Sequence, residues 1–208
     1  MTEARVPIDL RRRSDARLQV SRIAAELFWR DGLAATRGED IAREAGIATR
    51  TLWRYFRSKE ACVEPVLVES GRVFESVLHG WPLDRSIEEY LEKAATPGPV
   101  VFSSDDVAAM RMIVLGYTEP ALRSAWLMVC DAAEQRSTPV FAPRLNLPRD
   151  AAEVRRVAAS VSGAIRALTD GMSIEYVENG VVPESPDVLR TLAAVVRDAS
   201  NGRIGPAI

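Results

Sequence analysis

The sequence predicts an all-α fold on three observations. Apolar residues recur at spacings of three and four through almost every segment, no alternating strand pattern lasts, and capping residues mark where helices start and stop.

Taken in order, the first helix covers 14–31, with Leu18, Ile23, Ala24, Leu27 and Phe28 in its apolar set, and stops at Gly32, which can take the left-handed C-terminal conformation. Thr36 and Glu39 form a T-x-x-E capping box for a short helix through Ala45, closed by Gly46. A second short helix begins at Ala48 and runs to Tyr55 or Phe56. Ser58 caps a long helix over 59–79, in which Pro65 removes a backbone bond to Ala61 and predicts a kink, either a matter of shape or a hinge. His79, the only histidine, falls at that helix's end. Ser86 and Glu89 open the next helix, which ends before Pro97. Ser103 or Ser104, with the acidic pair Asp105 and Asp106, starts a helix to Leu115, stopped by Gly116. Thr118 opens a longer helix that must finish before Pro139, and the stretch holding Pro139, Pro143 and Pro148 is expected as a loop. Asp150 and Glu153 cap a long helix to Glu178, ended by Asn179-Gly180. Ser185-Pro186 starts the last helix, over 186–199, and the remaining SNGRIGPAI is expected to fray.

Composition narrows the function classes. A chain of 208 residues can bury a sizeable core, no apolar run reaches membrane-spanning length, and the N-terminus lacks the apolar stretch of a secretory signal, so a cytoplasmic protein is expected. Cys62 and Cys130 are too few and too far apart for a disulfide framework or a metal motif, and read as buried, reduced thiols. With one histidine and no GxxxxGK, GxGxxG, GxSxG or HExxH, nothing points to an enzyme, a cofactor or a metal. Residues 1–60 hold 13 Lys and Arg against 9 Asp and Glu, whereas the rest of the chain holds 14 against 20. Only the first part is thus suited to a polyanion.

That basic part contains "GIATRTLWRYFRSKE". Two short helices joined by Ala45-Gly46-Ile47 have the dimensions of a helix-turn-helix, whose second member enters the DNA major groove. At 100° per residue, Thr49, Arg50, Trp53 and Arg54 share one side of the second helix, while Leu52 and Phe56 point toward Ile41, Ile47 and Phe28. Arg50 can donate two parallel bonds to guanine, and Thr49 can bond a base or meet a thymine methyl. Thr51 and Tyr55 can reach phosphate oxygens, as can Lys59, whose charge opposes the dipole of its own helix and so lacks a local reason. Thr36 and Arg37 are placed to hold the opposite strand, and Arg11, Arg12 and Arg13 to form an arm along the backbone or minor groove.

The stretch "TRGEDIAREAGIATRTLWRYFRSKEA" resembles the DNA-binding domain of TetR-type transcriptional regulators, gap-free over Ile23 to Glu60, within the first third of the chain. Ala48 departs from the usual Ser or Thr, so the N-cap bond of the recognition helix is missing or moves to Thr49, and Trp53 replaces the usual Tyr. The resemblance implies a helix-turn-helix domain over 1–58 and a helical effector-binding and dimerisation domain over 59–208. It also implies a homodimer on a palindromic operator and release by a small apolar effector, which makes the chain a repressor. The alternative is a dimer of the same fold that binds a small molecule or a partner without a specific operator.

In the long helix after Asp150, Ala159, Gly163, Ala167 and Gly171 make a smooth ridge that another helix can approach closely. By the family's architecture, Ala159, Gly163 and Ala167 with Val188, Leu192 and Val196 are expected at the dimer interface. Apolar residues nearly all round "SAWLMVC" indicate burial on more than one side. Met110, Val114, Trp126, Cys130, Met172 and Tyr176 are the candidates to line an effector cavity, following the family and the apolar character of such pockets.

Overall fold

The computed structural model describes the backbone of residues 8–205 and the side-chain surroundings of residues 13–205. Its helices are α1 (Ile8–Asp31), α2 (Gly38–Glu44), α3 (Thr49–Tyr55), α4 (Glu64–Gly80), α5 (Ile87–Ala94), α6 (Ser104–Leu115), α7 (Pro120–Arg144), α8 (Ala152–Asn179) and α9 (Ser185–Ala199), with a 3-10 turn over Glu60–Val63. Among the described residues the single strand-like feature is an isolated bridge between Pro99 and Glu184.

Contacts divide the chain into two compact units, 1–70 with 103–126 and 71–102 with 127–208. In the first unit α1 packs against α2, the 3-10 turn and α6, and α2 against α3. Phe28, Ile41, Leu52, Val63 and Val66 form its fully buried centre. A bidentate pair from Arg22 Nε and Nη2 to Asp105, at 2.7 and 2.6 Å, fastens α1 to the first turn of α6. Ser21, fully buried in α1, accepts from the Val66 N–H at 3.0 Å. In the second unit α9 packs on α5 and α8. Phe141, Val154, Val161 and Val196 lie at the core.

Several boundaries differ from expectation for identifiable reasons. α1 starts at Ile8, so the arginine run lies within a helix and does not form an arm ahead of it. The first turn of α2 has Arg37 as N-cap, its N–H donating to Asp40 at 3.0 Å, in place of the expected Thr36 and Glu39. Pro65 stands in the first turn of α4, where its missing N–H costs nothing, and the Ala61 carbonyl accepts from the Glu64 N–H. Ser58 still caps the segment, accepting from the Ala61 N–H at 3.2 Å.

α7 does not stop at Pro139 but continues through both prolines to Arg144. The Gln135 carbonyl that Pro139 leaves without a backbone donor accepts from the Thr138 hydroxyl at 3.0 Å, and Phe141, fully buried, holds the continuation in the core. The same helix is less enclosed at "SAWLMVC" than its composition suggests, with Leu127 and Met128 exposed. α8 has Ala151 as N-cap, not Asp150, while Glu153 pairs with Arg203. The tail does not fray through residue 205: Ile204 is buried against the second core, and the Gly202 N–H donates to Arg197 at 2.8 Å. The Ser86–Glu89 and Ser103–Asp106 capping boxes form with reciprocal bonds. Cys62 is buried, which pushes its thiol pKa up to about 12, whereas Cys130 is only half-buried.

Candidate nucleic-acid interface

The turn between α2 and α3 closes on Gly46, whose φ of +64° is the left-handed conformation that a side chain disfavours. The Ile47 N–H then returns to the Ala42 carbonyl at 2.9 Å. From this turn α3 presents two unlike sides. Leu52 and Phe56 are buried, Arg50, Trp53 and Arg54 are exposed, and Thr49, Thr51 and Tyr55 are half-buried between them. Burial of one stripe fixes the helix's rotation, and the rotation puts the polar stripe outward. Ala48 caps α3 without any side-chain bond, so the lost N-cap contact has not moved to a neighbouring hydroxyl.

Trp53 is 44% exposed, yet one edge of its indole is tightly seated. A Cβ placed on Gly38, the first residue of α2, would lie 2.2 Å from Trp53 Cζ2 and 2.5 Å from Cη2. The glycine therefore makes room for the larger ring, and the ring ties α3 to the start of α2. Sequence inspection missed this pairing, although a glycine opening a helix was its visible sign.

A second group was also missed. The Tyr55 ring has the Arg13 guanidinium 5.8 Å and the Arg54 guanidinium 5.4 Å from its centroid, and Arg17 lies 5.2 Å from the Phe56 ring. The arginines of α1 thus border the end of α3, which no pattern within either segment reveals. The side chains of Arg11 and Arg12 lie outside the described residues.

Two of the residues expected at DNA are engaged within the chain. Thr36 is buried at 3% exposure, and its hydroxyl donates to the Gly32 carbonyl at 2.9 Å, so it is turned away from any outside partner. Lys59 Nζ donates to the carbonyls of Leu33 and Thr36 at 2.6 and 2.9 Å. Its ammonium clamps the loop between α1 and α2, which supplies the local reason for a cation at that position. Arg37 remains exposed at the start of α2. The carboxyl of Asp40 is held below its ordinary pKa, first by the Arg37 N–H and then by Arg43. Arg57 is engaged by Glu64.

The residues expected around an effector are divided between the units. Met110 and Trp126 are buried and Val114 is half-buried in the first, while Cys130, Met172 and Tyr176 are half-buried in the second, where Tyr176 meets Phe102 edge-on at 5.0 Å. A groove of ≈ 630 Å³ in the second unit lies elsewhere, between α5 and α9, over Leu91, Leu189 and Ala193. Of the expected interface residues, Leu192 and Val196 are core residues at 6% and 0% exposure, because that face of α9 packs into its own unit. Val188 is half-buried. Ala159 and Ala167 are exposed, and nothing lies within 4 Å of a Cβ built on Gly163 or Gly171, so the ridge of α8 is open.

Comparison with known proteins adds to this geometry. The family described as "Bacterial regulatory proteins, tetR family" matches residues 22–66, the end of α1 through the start of α4. MftR of Mycobacterium tuberculosis, named as a regulator of mycofactocin biosynthesis, is 51% identical over 51 residues, 24% of this chain and 26% of that protein. The HTH-type transcriptional repressor KstR2 of Rhodococcus jostii is 42% identical over 134 residues, 58% of this chain and 66% of that protein. The matches thus span about a quarter of one relative and just under two thirds of the other. A crystal structure of a TetR-family regulator from a Rhodococcus species superposes with a TM-score of 0.53 at 17% identity, covering 91% of this chain and 99% of that one, a likeness of fold. Among the described residues no helix is long and apolar enough to cross a membrane.

Proposed function

The chain belongs to the TetR family of transcriptional regulators, and from that premise we propose that it represses transcription by binding a palindromic operator as a homodimer, until a small apolar effector releases it. It works as a regulator, not as an enzyme, in keeping with the names of its relatives.

The observation that carries the reading is the two-sided character of α3: Leu52 and Phe56 anchor it, and Arg50, Trp53 and Arg54 stand outward. Laid in a major groove, this helix brings the Arg50 guanidinium to the edge of a guanine, where paired bonds to O6 and N7 discriminate by about 1–3 kcal/mol. Thr49 meets a neighbouring base. Thr51, Tyr55, Arg13 and Arg37 reach the backbone on either side, and their contacts fix register without reading sequence. Trp53, held against Gly38, sets the angle between the reading helix and α2.

Palindromic recognition requires two copies with their reading helices about 34–36 Å apart. The open ridge of Ala159, Gly163 and Ala167 on α8 is the surface we assign to pairing, since small residues let a second helix come close. An effector held by the C-terminal helices then shifts the population toward a spacing that no longer fits the operator, by as much as its affinity differs between the two states.

The deciding experiment measures affinity for a palindromic duplex and for random duplex across a salt series. Expected are a marked preference for one palindrome and a steep fall of both affinities with salt. Equal, weak binding to all duplexes leaves the chain as a dimer that binds a small molecule or a partner.

A further inference from the structure

Trp53 is the large apolar side chain among the outward residues of α3, standing with Arg50 and Arg54 on the side away from Leu52 and Phe56. Its arginine neighbours have evident partners in a duplex, on guanine edges and phosphates. An indole that is 44% exposed between them has no such evident partner.

The seating against α2 decides which atoms the ring can offer. A Cβ built on Gly38 would meet Cζ2 at 2.2 Å, Cη2 at 2.5 Å and Cε2 only at 3.3 Å, so α2 approaches the rim of the six-membered ring and not its face. Nε1, the ring's single polar atom, is bonded to Cε2 and lies toward that seated side. The opposite edge, Cε3 and Cζ3, is carbon alone. Holding one edge also fixes the side chain's rotamer, so little ordering is left to be done when a partner arrives.

The major groove has few partners for a carbon edge. Its N7, O6, O4, N4 and N6 groups are polar, and the apolar exception is the C5-methyl group of thymine. Carbon laid on a polar group strips away water and returns no hydrogen bond, whereas carbon laid on a methyl buries apolar surface on both sides. Resting on the reading of α3 as the operator-reading helix, we propose that Trp53 determines specificity by receiving the C5-methyl group of a pyrimidine at one position in each half-site. Arg50 reads guanine through paired bonds, and Trp53 reads its base through contact without a hydrogen bond. What it reads is the methyl, not the base, so 5-methylcytosine satisfies it as thymine does. A C·G pair at that position becomes acceptable once methylated, which makes affinity for such a site depend on cytosine methylation of the DNA.

The palindrome returned by selection from randomised DNA supplies the test duplex. Each thymine is replaced symmetrically by deoxyuridine, which removes the methyl and keeps every hydrogen-bonding group, and affinity is read by fluorescence anisotropy. One position should weaken binding about fourfold per half-site, roughly fifteenfold for the pair, as one buried methyl implies, while the other thymines change little. At that position 5-methylcytosine should bind about fourfold more tightly per half-site than cytosine. Trp53→Ala should bring the ratio of thymine to deoxyuridine affinity near one and keep the preference for guanine. The duplex series on the wild-type protein decides the matter even if that variant does not fold. Thr49, one turn earlier on the same side of α3, is the rival partner for the methyl, and Thr49→Ser tests it. A palindrome without thymine, one indifferent to deoxyuridine throughout, or a ratio lost in Thr49→Ser but kept in Trp53→Ala overturns the proposal and leaves operator reading intact. Uniform affinity for every duplex overturns both.

Discussion

The indole of Trp53 lies so close over Gly38 that a methyl group added there would have to share space with Cζ2. The two positions are therefore a unit, and substitutions at them should not be additive. Gly38→Ala displaces Trp53, giving up packing that a helix-favouring alanine only partly offsets. In a Trp53→Ala background the same change becomes neutral or stabilising. A double-mutant cycle by urea unfolding should return a coupling of about 1–2 kcal/mol. Additive single-mutant effects contradict the contact.

Lys59 joins the loop between α1 and α2 through two carbonyls. Lys59→Met should lower stability by about 1.5–3 kcal/mol, the range for hydrogen bonds to a charged group, and expose residues 32–37 to limited proteolysis. The salt dependence of DNA affinity should change little. If its slope instead drops by about one unit with stability intact, Lys59 contacts a phosphate.

The Arg22–Asp105 pair makes the first unit acid-sensitive. Hydrogen bonds from Arg22, the leading cause, hold the Asp105 carboxyl below its ordinary pKa. The resulting stabilisation is complete above the unfolded value of about 3.9 and disappears as the pH falls toward the lowered folded value. Asp105→Asn should cost on the order of 1–2 kcal/mol at neutral pH, a figure kept small because Arg22 is 38% exposed, and should flatten the stability profile below about pH 4. A variant profile as steep as the wild type's places the acid sensitivity elsewhere.

Arg50→Ala should relax sequence preference at one position in each half-site, by about 1–3 kcal/mol, and leave far-ultraviolet circular dichroism unchanged. Selection from a randomised duplex pool reads this directly. An unaltered consensus removes Arg50 from base reading.

Leu192 and Ala167 separate folding from pairing. Leu192→Ala opens a cavity in the second core and should cost about 2–5 kcal/mol. Ala167→Glu projects a charge from an open ridge, so the fold should survive while sedimentation shows dissociation into single chains. A stable dimer in that variant moves the interface away from α8.

Local chemistry was legible wherever it was complete within a few residues. Ser86 with Glu89 formed as read, because the box closes within one turn, and of the two serines expected to start α6 it is Ser103 that caps it. The orientation of α3 was legible for a similar reason: two apolar residues four apart define its buried side. What escaped depends on partners distant in sequence. Thr36 looks like a cap until the Gly32 and Leu27 carbonyls claim it, and Lys59 looks free until the loop 23 and 26 residues earlier folds onto it. Leu192 and Val196 cannot be assigned to a core or an interface until the burial partner of that face is known.

The two prolines in α7 remove two amide protons from its last turns, so that end of the helix has fewer backbone rungs than its length suggests. Phe141, Ala142 and Arg144, all nearly or fully buried there, hold it by side-chain contact. Such a terminus does not unzip turn by turn. Its remaining amides should exchange with deuterium only as the whole second core opens, making the stretch after Pro139 a slow-exchange reporter for that unit, in contrast to an ordinary fraying end.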